Sequence, residues 1–315
     1  RSFLKAASTA AVSIPWLVPS NVFAADGKPG ANDRIRVGLI GSGGRPRDLL
    51  KESPLDLELV AVADCDLRQI DGYLKWLYAA RPEIAAAKCS QYQDYRRMLD
   101  KEKLDGLFVA TTTHARVLIC LDAMQAGLDV YAEKPLTLTI EEGQYLIKAE
   151  RKYGTVFQVG SQQRSIPINN FGSDLVRDGA IGKVHTVLCP NLIGPERRTS
   201  TAGEPTPEGM NWDMWCHQTP LVPYSSELHP GLGRWGRWRD YDGGGLGWGV
   251  TGWGTHAFDQ VQRALGTDDT DPVEIWPEGT GTDFPLSLLY PSGTVLNLSL
   301  PKGTGAWLGE IFVGD

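Results

Sequence analysis

The apolar run Ile35–Ile40 (IRVGLI), which stops at the glycine-rich residues 41–45 (GSGGR), constrains the fold of this chain more than any other feature. A short run of this kind that ends at glycines is typical of a buried parallel strand. A helix is predicted to begin near Arg45. A strand, a glycine turn and a helix in this order form the first unit of an open α/β sheet.

The same alternation continues through the first half of the chain. Further strand-like runs lie at residues 57–63, 106–110, 129–132 and 156–159. Residues 115–126 and 140–151 carry apolar side chains at helical spacing. Strands that alternate with helices predict a doubly wound parallel sheet, the Rossmann type of α/β fold.

The pattern changes beyond about Ser165. Helices are predicted at residues 170–178 and 255–265, and a long stretch rich in Gly, Trp and Pro lies between them. Strand-like segments lie at residues 184–192, 273–275, 286–290, 294–300 and 310–313. This pattern favours a second, α+β domain with a largely antiparallel sheet. The predicted organisation is an export signal at 1–25, an arm at 26–33, a dinucleotide-binding domain at 34–164 and a substrate-binding domain at 165–315.

Composition excludes several classes of site and partner. The net charge is −7 and there is no Lys/Arg run, whereas nucleic-acid binding needs a concentrated basic surface. The 5 cysteines show no CxxC or Cys/His ligand spacing. We therefore expect no nucleic-acid partner, no metal site and no disulfide framework.

The first residues, Arg1-Ser2-Phe3-Leu4-Lys5, resemble the second half of a twin-arginine export signal. An apolar, Ala-rich stretch follows at 6–18, and residues 22–25 form a small-residue cleavage pattern. A membrane anchor is the alternative, but Ser, Pro and Pro interrupt the short run at positions 13, 15 and 19. We expect a periplasmic or secreted protein without a stable membrane anchor. The chain starts at Arg and stops in a strand-like segment, so we expect it to be truncated at both ends.

The glycine turn is the predicted cofactor site. Gly41 permits the tight turn, and Gly43 lets backbone N–H groups approach a pyrophosphate at the helix N-terminus. Pro46 stands where a third glycine is usual, and proline suits a first helical turn. Asp64 follows the second strand about twenty residues on, where a carboxylate accepts hydrogen bonds from the adenosine ribose. This favours NAD over NADP, although a plain turn role for Asp64 is the alternative.

The triplet Glu133-Lys134-Pro135 leaves the C-terminal end of a predicted strand, where open α/β sheets place their ligands. Together with residues 111–114 (TTTH), 159–164 (VGSQQR) and 252–259 (GWGTHAFD), it resembles the glucose-fructose oxidoreductase and inositol dehydrogenase family, Gfo/Idh/MocA. The resemblance covers Ile35 to the end of the chain. It implies that Lys134 lies beside the nicotinamide and holds the reacting oxygen, and that His256 shares the proton transfer.

Two departures from the family pattern affect this interpretation. Gly252 replaces the aspartate of the family's DxxxH motif, and Thr112 stands where proline is usual. Asp259, one helical turn after His256, is expected to orient the imidazole, with Asp213 as a second candidate. An exposed strand-end lysine and a helix-capping histidine are the alternatives for the two catalytic positions.

The resemblance and the residues together assign the site. Lys134 and His256 are the predicted catalytic residues. The predicted cofactor-binding residues are Gly41, Ser42, Gly43, Gly44, Arg45, Asp64, Thr111, His114, Glu133 and Gln162. The predicted substrate-binding residues are Lys134, Arg164, Trp253, His256 and Asp259.

Aromatic side chains crowd the Gly-rich stretch and suit contact with carbohydrate rings. They are Trp212, Trp215, Trp235, Trp238, Trp248 and Trp253, with Tyr241, His217, Arg237 and Arg239 nearby. The alternative is that these side chains fill the domain interface or a subunit contact.

We therefore expect an NAD-dependent oxidoreductase that transfers hydride to or from a secondary hydroxyl or carbonyl group of a sugar or cyclitol. NADP is the less favoured cofactor. One alternative is an NAD-dependent glycosidase that oxidises its sugar transiently, and another is a sugar-binding member of the family without catalysis. The interpretation also allows a homo-oligomer that forms through the C-terminal sheet.

Overall fold

The computed structural model describes most of the chain from residue 33 onward. The described residues are 30, 33–51, 53–54, 56–190, 194–197, 202–228, 238–242, 252–280, 285–299 and 309–315. The predicted export signal lies outside them, as do Trp235, Arg237 and Trp248. Within these ranges no helix has the length and apolar character needed to cross a membrane.

Six parallel strands form the first sheet, in the order β3-β2-β1-β4-β5-β6. The strands are β1 (Ile35–Ile40), β2 (Leu57–Ala63), β3 (Ala85–Tyr92), β4 (Gly106–Val109), β5 (Asp129–Glu133) and β6 (Phe157–Gly160). The helices between them are α1 (Arg45–Lys51), α2 (Leu67–Ala80), α3 (Tyr95–Lys101), α4 (Thr113–Gln125) and α5 (Ile140–Tyr153). The order reverses between β1 and β4, so a crevice for a ligand opens at the carboxyl ends of these strands.

Both faces of this sheet are buried. Leu39 and Ile40 are consecutive in β1, so their side chains point to opposite faces. Leu39 packs in a cluster with Ile70 of α2, whereas Ile40 packs in a second cluster with Ile119 of α4. Helices therefore cover the sheet on both sides, as an all-parallel sheet requires.

The sequence did not predict β3, α2 or α3. β3 is built from alanines and polar residues at an edge of the sheet, and such a run lacks the apolar signal of a buried strand. α2 does carry a helical signal, since Asp66 caps its N-terminus and buried apolar side chains recur from Ile70 to Leu77.

A mixed five-stranded sheet forms the second domain, in the order β11-β7-β10-β9-β8. The strands are β7 (Thr186–Leu188), β8 (Glu274–Pro277), β9 (Leu286–Leu289), β10 (Val295–Asn297) and β11 (Ile311–Val313). β7 pairs with β10 in parallel, and the other pairings are antiparallel. The remaining helices are α6 (Pro167–Arg177), the short α7 (Trp212–Cys216) and α8 (Gly254–Leu265). The predicted α/β class with a second, largely antiparallel α+β domain is confirmed.

Residues 209–217, here called the strap, belong to the second half of the chain but dock on the first sheet. The Asn211 N–H donates to the Cys65 carbonyl oxygen at 2.8 Å, and Gln93 Nε2 donates to the Gly209 carbonyl oxygen at 2.9 Å. Met210 also forms a β-bridge with Asp66. The strap is thus fixed to the edge of the sheet where β2 and β3 end.

Most described tryptophans of the Gly-rich stretch are structural. The rings of Trp212 and Trp215 stack with centroids 4.5 Å apart, and both side chains belong to a buried cluster with Trp238 and Tyr241. Trp253 is the exception, because it lies beside His256 and is half-buried. The burial of Trp212, Trp215 and Trp238 favours the structural alternative over the predicted sugar contact.

His114 joins this cluster to the first sheet. Its ring is fully buried between Trp215 and Tyr241, and Nε2 lies 2.7 Å from the Trp215 carbonyl oxygen, to which it donates. Its N–H donates to the Tyr241 carbonyl oxygen at 3.1 Å. Burial lowers the pKa of His114 to about 4.

This burial predicts a loss of stability in mild acid. The folded-state pKa of about 4 lies below the unfolded value of about 6.5, so only the unfolded chain binds the proton between these pH values. The free energy of unfolding should fall by up to about 3 kcal/mol as the pH drops through this window. Chemical denaturation at several pH values measures the slope, which should become shallower in His114→Gln. The exposed His185, replaced by Gln, is the control, and equal slopes in both variants would show that His114 is not the group responsible.

Candidate functional site

The glycine turn after β1 is shaped by close backbone approach. Gly41 has φ +86°, and a Cβ there would lie 2.7 Å from the Ala110 carbonyl oxygen. Added Cβ atoms at Gly43 and Gly44 would meet nothing within 4 Å. The turn therefore needs glycine at 41 for its conformation, while the space above 43 and 44 leaves its backbone open to a pyrophosphate at the start of α1.

Asp64 anchors this turn from the end of β2. Its Oδ2 accepts hydrogen bonds from the N–H and the hydroxyl of Ser42 at 2.8 and 2.9 Å, and its Oδ1 accepts from the Asp66 N–H at 3.0 Å. Burial raises the pKa of Asp64, and the hydrogen bonds from Asp66 and Ser42 oppose that rise. Ser42 itself is buried, so its place is to hold the turn against Asp64.

A cavity of about 410 Å³ opens at the carboxyl ends of β1, β2 and β4. The predicted cofactor residues that line it are Gly41, Gly43, Gly44, Arg45, Asp64 and Thr111. Ser42, His114, Glu133 and Gln162 do not line it. The buried contacts of His114 favour a structural role over the predicted cofactor contact, and Gln162 is exposed on the 3-10 turn Gln162–Ser165.

The far wall of the cavity was not predicted as part of the cofactor site. It consists of Gln93, Tyr95, Met214, Trp215 and His217. The last three belong to the strap, more than one hundred residues from the glycine turn in sequence. The sequence shows the aromatic residues near position 215, but their spacing does not indicate that they dock on the first sheet.

Glu133 does not line the cavity, but it connects Arg45, which does, to the turn after β5. Its side chain is 4% exposed, and its Oε1 accepts from Arg45 Nε at 2.9 Å. Its Oε2 accepts from the Lys134 N–H at 3.2 Å. A Cβ at Gly160 would lie 3.0 Å from Glu133 Oε1, so the neighbouring end of β6 leaves room for this carboxylate. Glu133 thus couples the glycine turn to Lys134.

Arg116 also holds the turn after β5 in place. Its guanidinium donates to the carbonyl oxygens of Pro135 and Thr111, and the side chain is buried. It therefore ties the turn after β5 to the turn after β4. A buried arginine inside a predicted helix gave no sequence signal of this role.

Lys134 reaches the second domain. Its Nζ donates to the Gly252 carbonyl oxygen at 3.1 Å, just before α8. Burial lowers the pKa of Lys134, and the negative charges of Glu133 and Asp242 oppose that shift. A backbone carbonyl of Gly252 thus contacts Lys134, where the family pattern would provide an aspartate.

His256 lies on the first turn of α8 beside Lys134. The side chain is buried, its Nδ1 has no hydrogen-bond partner, and its ring is 5.2 Å from that of Trp253. The pKa of His256 is lowered to about 4, first by burial and then by the positive charges of Lys134 and Arg45. The imidazole is therefore neutral at neutral pH and able to accept a proton.

The expected partnership between Asp259 and His256 is wrong. Both carboxylate oxygens of Asp259 lie 2.9 Å from Arg164 Nε, and Arg164 also donates to Asp268 at 2.6 Å. These ion pairs occupy the Asp259 carboxylate, and His256 Nδ1 has no hydrogen-bond partner. Asp213, the second candidate, is exposed on α7. Arg164 and Asp259, both predicted to bind substrate, instead bind each other.

A family model described as "Oxidoreductase family, NAD-binding Rossmann fold" matches residues 35–161, and one described as "Oxidoreductase family, C-terminal alpha/beta domain" matches residues 195–282. Together the two matches cover more than half of the chain.

Curated relatives match between about a third and a half of the chain. The rhizopine catabolism protein MocA of Rhizobium meliloti is 26% identical over 156 residues, which are 50% of this chain and 46% of the relative. The levoglucosan dehydrogenase of Pseudarthrobacter phenanthrenivorans is 28% identical over 35% of this chain and 30% of its own length. A glycosyl hydrolase family 109 protein of Stenotrophomonas maltophilia is 28% identical over 49% of this chain and 34% of its own length. The chain thus matches less than half the length of each of these relatives.

Solved structures share the whole two-domain architecture. The WlbA dehydrogenase of Bordetella pertussis, in complex with NADH and UDP-GlcNAcA, has a TM-score of 0.61 at 18% identity and covers 90% of this chain and 77% of its own. The myo-inositol 2-dehydrogenase of Lactobacillus plantarum has a TM-score of 0.57 at 21% identity and covers 84% and 68%. At this identity the likeness establishes the fold. With the two family matches, it follows that this chain belongs to the Gfo/Idh/MocA family of oxidoreductases, whose first domain is an NAD-binding Rossmann fold.

Proposed function

We propose that this protein is an NAD-dependent oxidoreductase that transfers hydride to or from a secondary hydroxyl or carbonyl group of a sugar or cyclitol. The convergence of Lys134 and His256 is the observation that carries the proposal. Lys134 bonds to the turn that starts α8, and its charge lowers the pKa of His256 on that helix. Arg45, which lines the cavity, acts on the same imidazole.

The residues supply the proton chemistry that such a reaction needs. Oxidation of a carbinol removes a hydride from carbon and a proton from oxygen, and bound NAD supplies the hydride acceptor. Lys134 positions the reacting oxygen by donating a hydrogen bond to it. The neutral His256 accepts the hydroxyl proton and returns it in the reverse direction.

The substrate class rests on the relatives and on one aromatic ring. Proteins similar to this chain include a levoglucosan dehydrogenase and a myo-inositol 2-dehydrogenase, which bear the names of a sugar derivative and a cyclitol. The half-buried ring of Trp253 beside His256 offers a flat face of the kind that carbohydrate rings pack against. Arg164 and Asp259 fit the proposal as the ion pair that holds α8, rather than as direct substrate contacts.

An NAD-dependent glycosidase is the second candidate function. Two relatives, at 28% and 26% identity, are named glycosyl hydrolase family 109 proteins. In such a reaction the sugar is oxidised, loses its aglycone and is reduced again, so the cofactor ends unchanged. Net formation of NADH at 340 nm from a free sugar or cyclitol supports the dehydrogenase. Release of an aglycone without net NADH supports the glycosidase. Ligand binding without either product supports a sugar-binding protein without catalysis, an alternative suggested by the loss of the family aspartate at Gly252.

Removal of either proton-handling side chain should abolish most turnover. Lys134→Met and His256→Ala should each lower kcat by roughly 10²- to 10⁴-fold, as is typical when a general acid or base is lost. The double variant should be little worse than either single one, because the two residues act as a unit. Steady-state rates on the best substrate of a sugar and cyclitol panel measure this.

Cofactor binding provides the control for these variants. NAD affinity should change little in Lys134→Met, since the dinucleotide is held mainly by the glycine turn and Asp64, and Lys183→Met at an exposed position should leave the rate unchanged. Near-native turnover in Lys134→Met would rule out the proposed role of this lysine.

Asp64 should make NAD the preferred cofactor. Its carboxylate lines the cavity at the end of β2 and would repel a 2′-phosphate, while it accepts hydrogen bonds from a free ribose diol. Calorimetry should therefore give a lower Kd for NAD than for NADP. Tighter binding of NADP, or NADP in the purified protein, would contradict this assignment.

We also propose export in a folded, cofactor-loaded state, because the signal-like residues 1–25 precede an NAD-binding domain. The mature protein is then expected to begin near residue 25 or 26. N-terminal sequencing of the native protein tests this, and retention of residues 6–18 would count against export.

A further inference from the structure

The strap lies beside the end of β2, because the Asn211 N–H donates to the carbonyl oxygen of Cys65, the residue after Asp64. Met214, Trp215 and His217 of the strap line the cavity together with Tyr95 from the start of α3. In an open α/β sheet a carboxylate after the second strand holds the adenosine ribose, and the adenine base lies farther out, beyond the ends of β2 and β4. These four side chains therefore stand where an adenine base would lie.

His217 holds a costly backbone conformation at this wall. Its φ of 53° and ψ of −123° lie in a region that favours glycine, and among the described residues it is the only non-glycine residue with a positive φ. Such outliers persist where the surrounding structure enforces them, and they cluster at binding sites. The conformation directs the imidazole over Tyr95, where the two rings stack with centroids 5.7 Å apart and planes at 26°.

Hydrogen bonds hold both the strap and Tyr95 in place. It is bonded to Cys65 and Gln93 at one end, and near its other end the Trp215 carbonyl oxygen accepts from the buried His114 ring. Tyr95 is fixed as well, because its hydroxyl donates to Asp122 Oδ2 at 2.7 Å. Both stacked rings are thus preorganised rather than free to rotate.

The chemistry of this wall suits a flat, uncharged heterocycle. Burial lowers the pKa of His217, so its ring is neutral at neutral pH. Ala115, Ile119 and Met214 supply apolar surface beside it. Stacking on aromatic side chains is how proteins bind bases without charge.

We propose that His217, together with Tyr95, Trp215 and Met214, forms the binding wall for the adenine of NAD, so that the cofactor site is completed by a segment of the second half of the chain. The inference rests on the proposed function only in taking NAD as the cofactor. It does not depend on which substrate is oxidised or on whether turnover occurs.

The variant His217→Gly removes the imidazole ring while it allows the backbone conformation to remain. Glycine accepts the observed backbone conformation without strain, so Tm should stay within about 4 °C of that of the parent protein. Loss of one stacked ring should weaken adenine binding roughly ten-fold. Calorimetry with NAD, ADP-ribose and 5′-AMP should show the same fold-loss for all three ligands, because they share only the adenosine half.

Two matched controls sharpen the measurement. His217→Phe keeps an aromatic ring and should bind within about three-fold of the parent protein, since stacking is retained. His185→Gly removes an exposed histidine far from the cavity and should leave all three affinities unchanged.

Three outcomes would overturn the inference. Unchanged affinities in His217→Gly would show that the ring does not contact adenine. A loss confined to NAD would place the contact elsewhere on the cofactor, and a large fall in Tm would show that the ring serves the fold. If the variant weakens adenosine ligands but no sugar or cyclitol is turned over, the adenine wall stands and the proposed activity fails.

Discussion

The ion pair between Arg45 and the buried Glu133 is the interaction on which the site depends. It joins the turn after β1, which borders the cavity, to the turn after β5, which carries Lys134. A carboxylate at 4% exposure is stable only when charged partners and hydrogen bonds compensate its lost hydration, and Arg45 with the Lys134 N–H provides them. Because strands β1 and β5 are separated only by β4, a single arginine spans the distance.

The same group of charges acts on the protonation of Lys134 and His256. Arg45 and Lys134 lower the pKa of His256, while Glu133 and Asp242 oppose the fall in the pKa of Lys134. The carboxylates of Glu133 and Asp242 thus supply part of the negative charge that the family aspartate would provide at the position of Gly252. They keep negative charge near the lysine, although they leave the Nδ1 of His256 without a hydrogen-bond partner.

Packing of the two halves of the chain completes the arrangement. The strap is docked on the first sheet by backbone hydrogen bonds and by a buried aromatic cluster, with His114 as the side chain that belongs to both. The cavity is therefore not a property of the Rossmann domain alone. Changes in the strap should be felt at the cofactor site even though the strap lies outside the glycine fingerprint.

The sequence predicted the parts of this protein that depend on local pattern. β1 and β2 have the predicted bounds, and the glycine turn, Asp64 and the Glu133-Lys134 pair lie at one edge of the sheet as expected. The predictions failed where partners are distant. Arg164 pairs with Asp259 across 95 residues, and three of the tryptophans predicted to contact a sugar are buried in one aromatic cluster. His217 was predicted as a neighbour of carbohydrate-contacting aromatic residues and not as a cofactor residue, because its positive φ and its docking against Tyr95 leave no periodic signal.

In the proposed enzyme, one crevice brings the cofactor, Lys134 and His256 together. A crystal structure of the full chain with NADH and a turned-over sugar or cyclitol tests this most directly. We expect the reacting carbon about 3.5 Å from nicotinamide C4, with its oxygen about 3 Å from Lys134 Nζ and within reach of the His256 ring. A nicotinamide ring that points away from β5, or a substrate bound without contact to either residue, would contradict it.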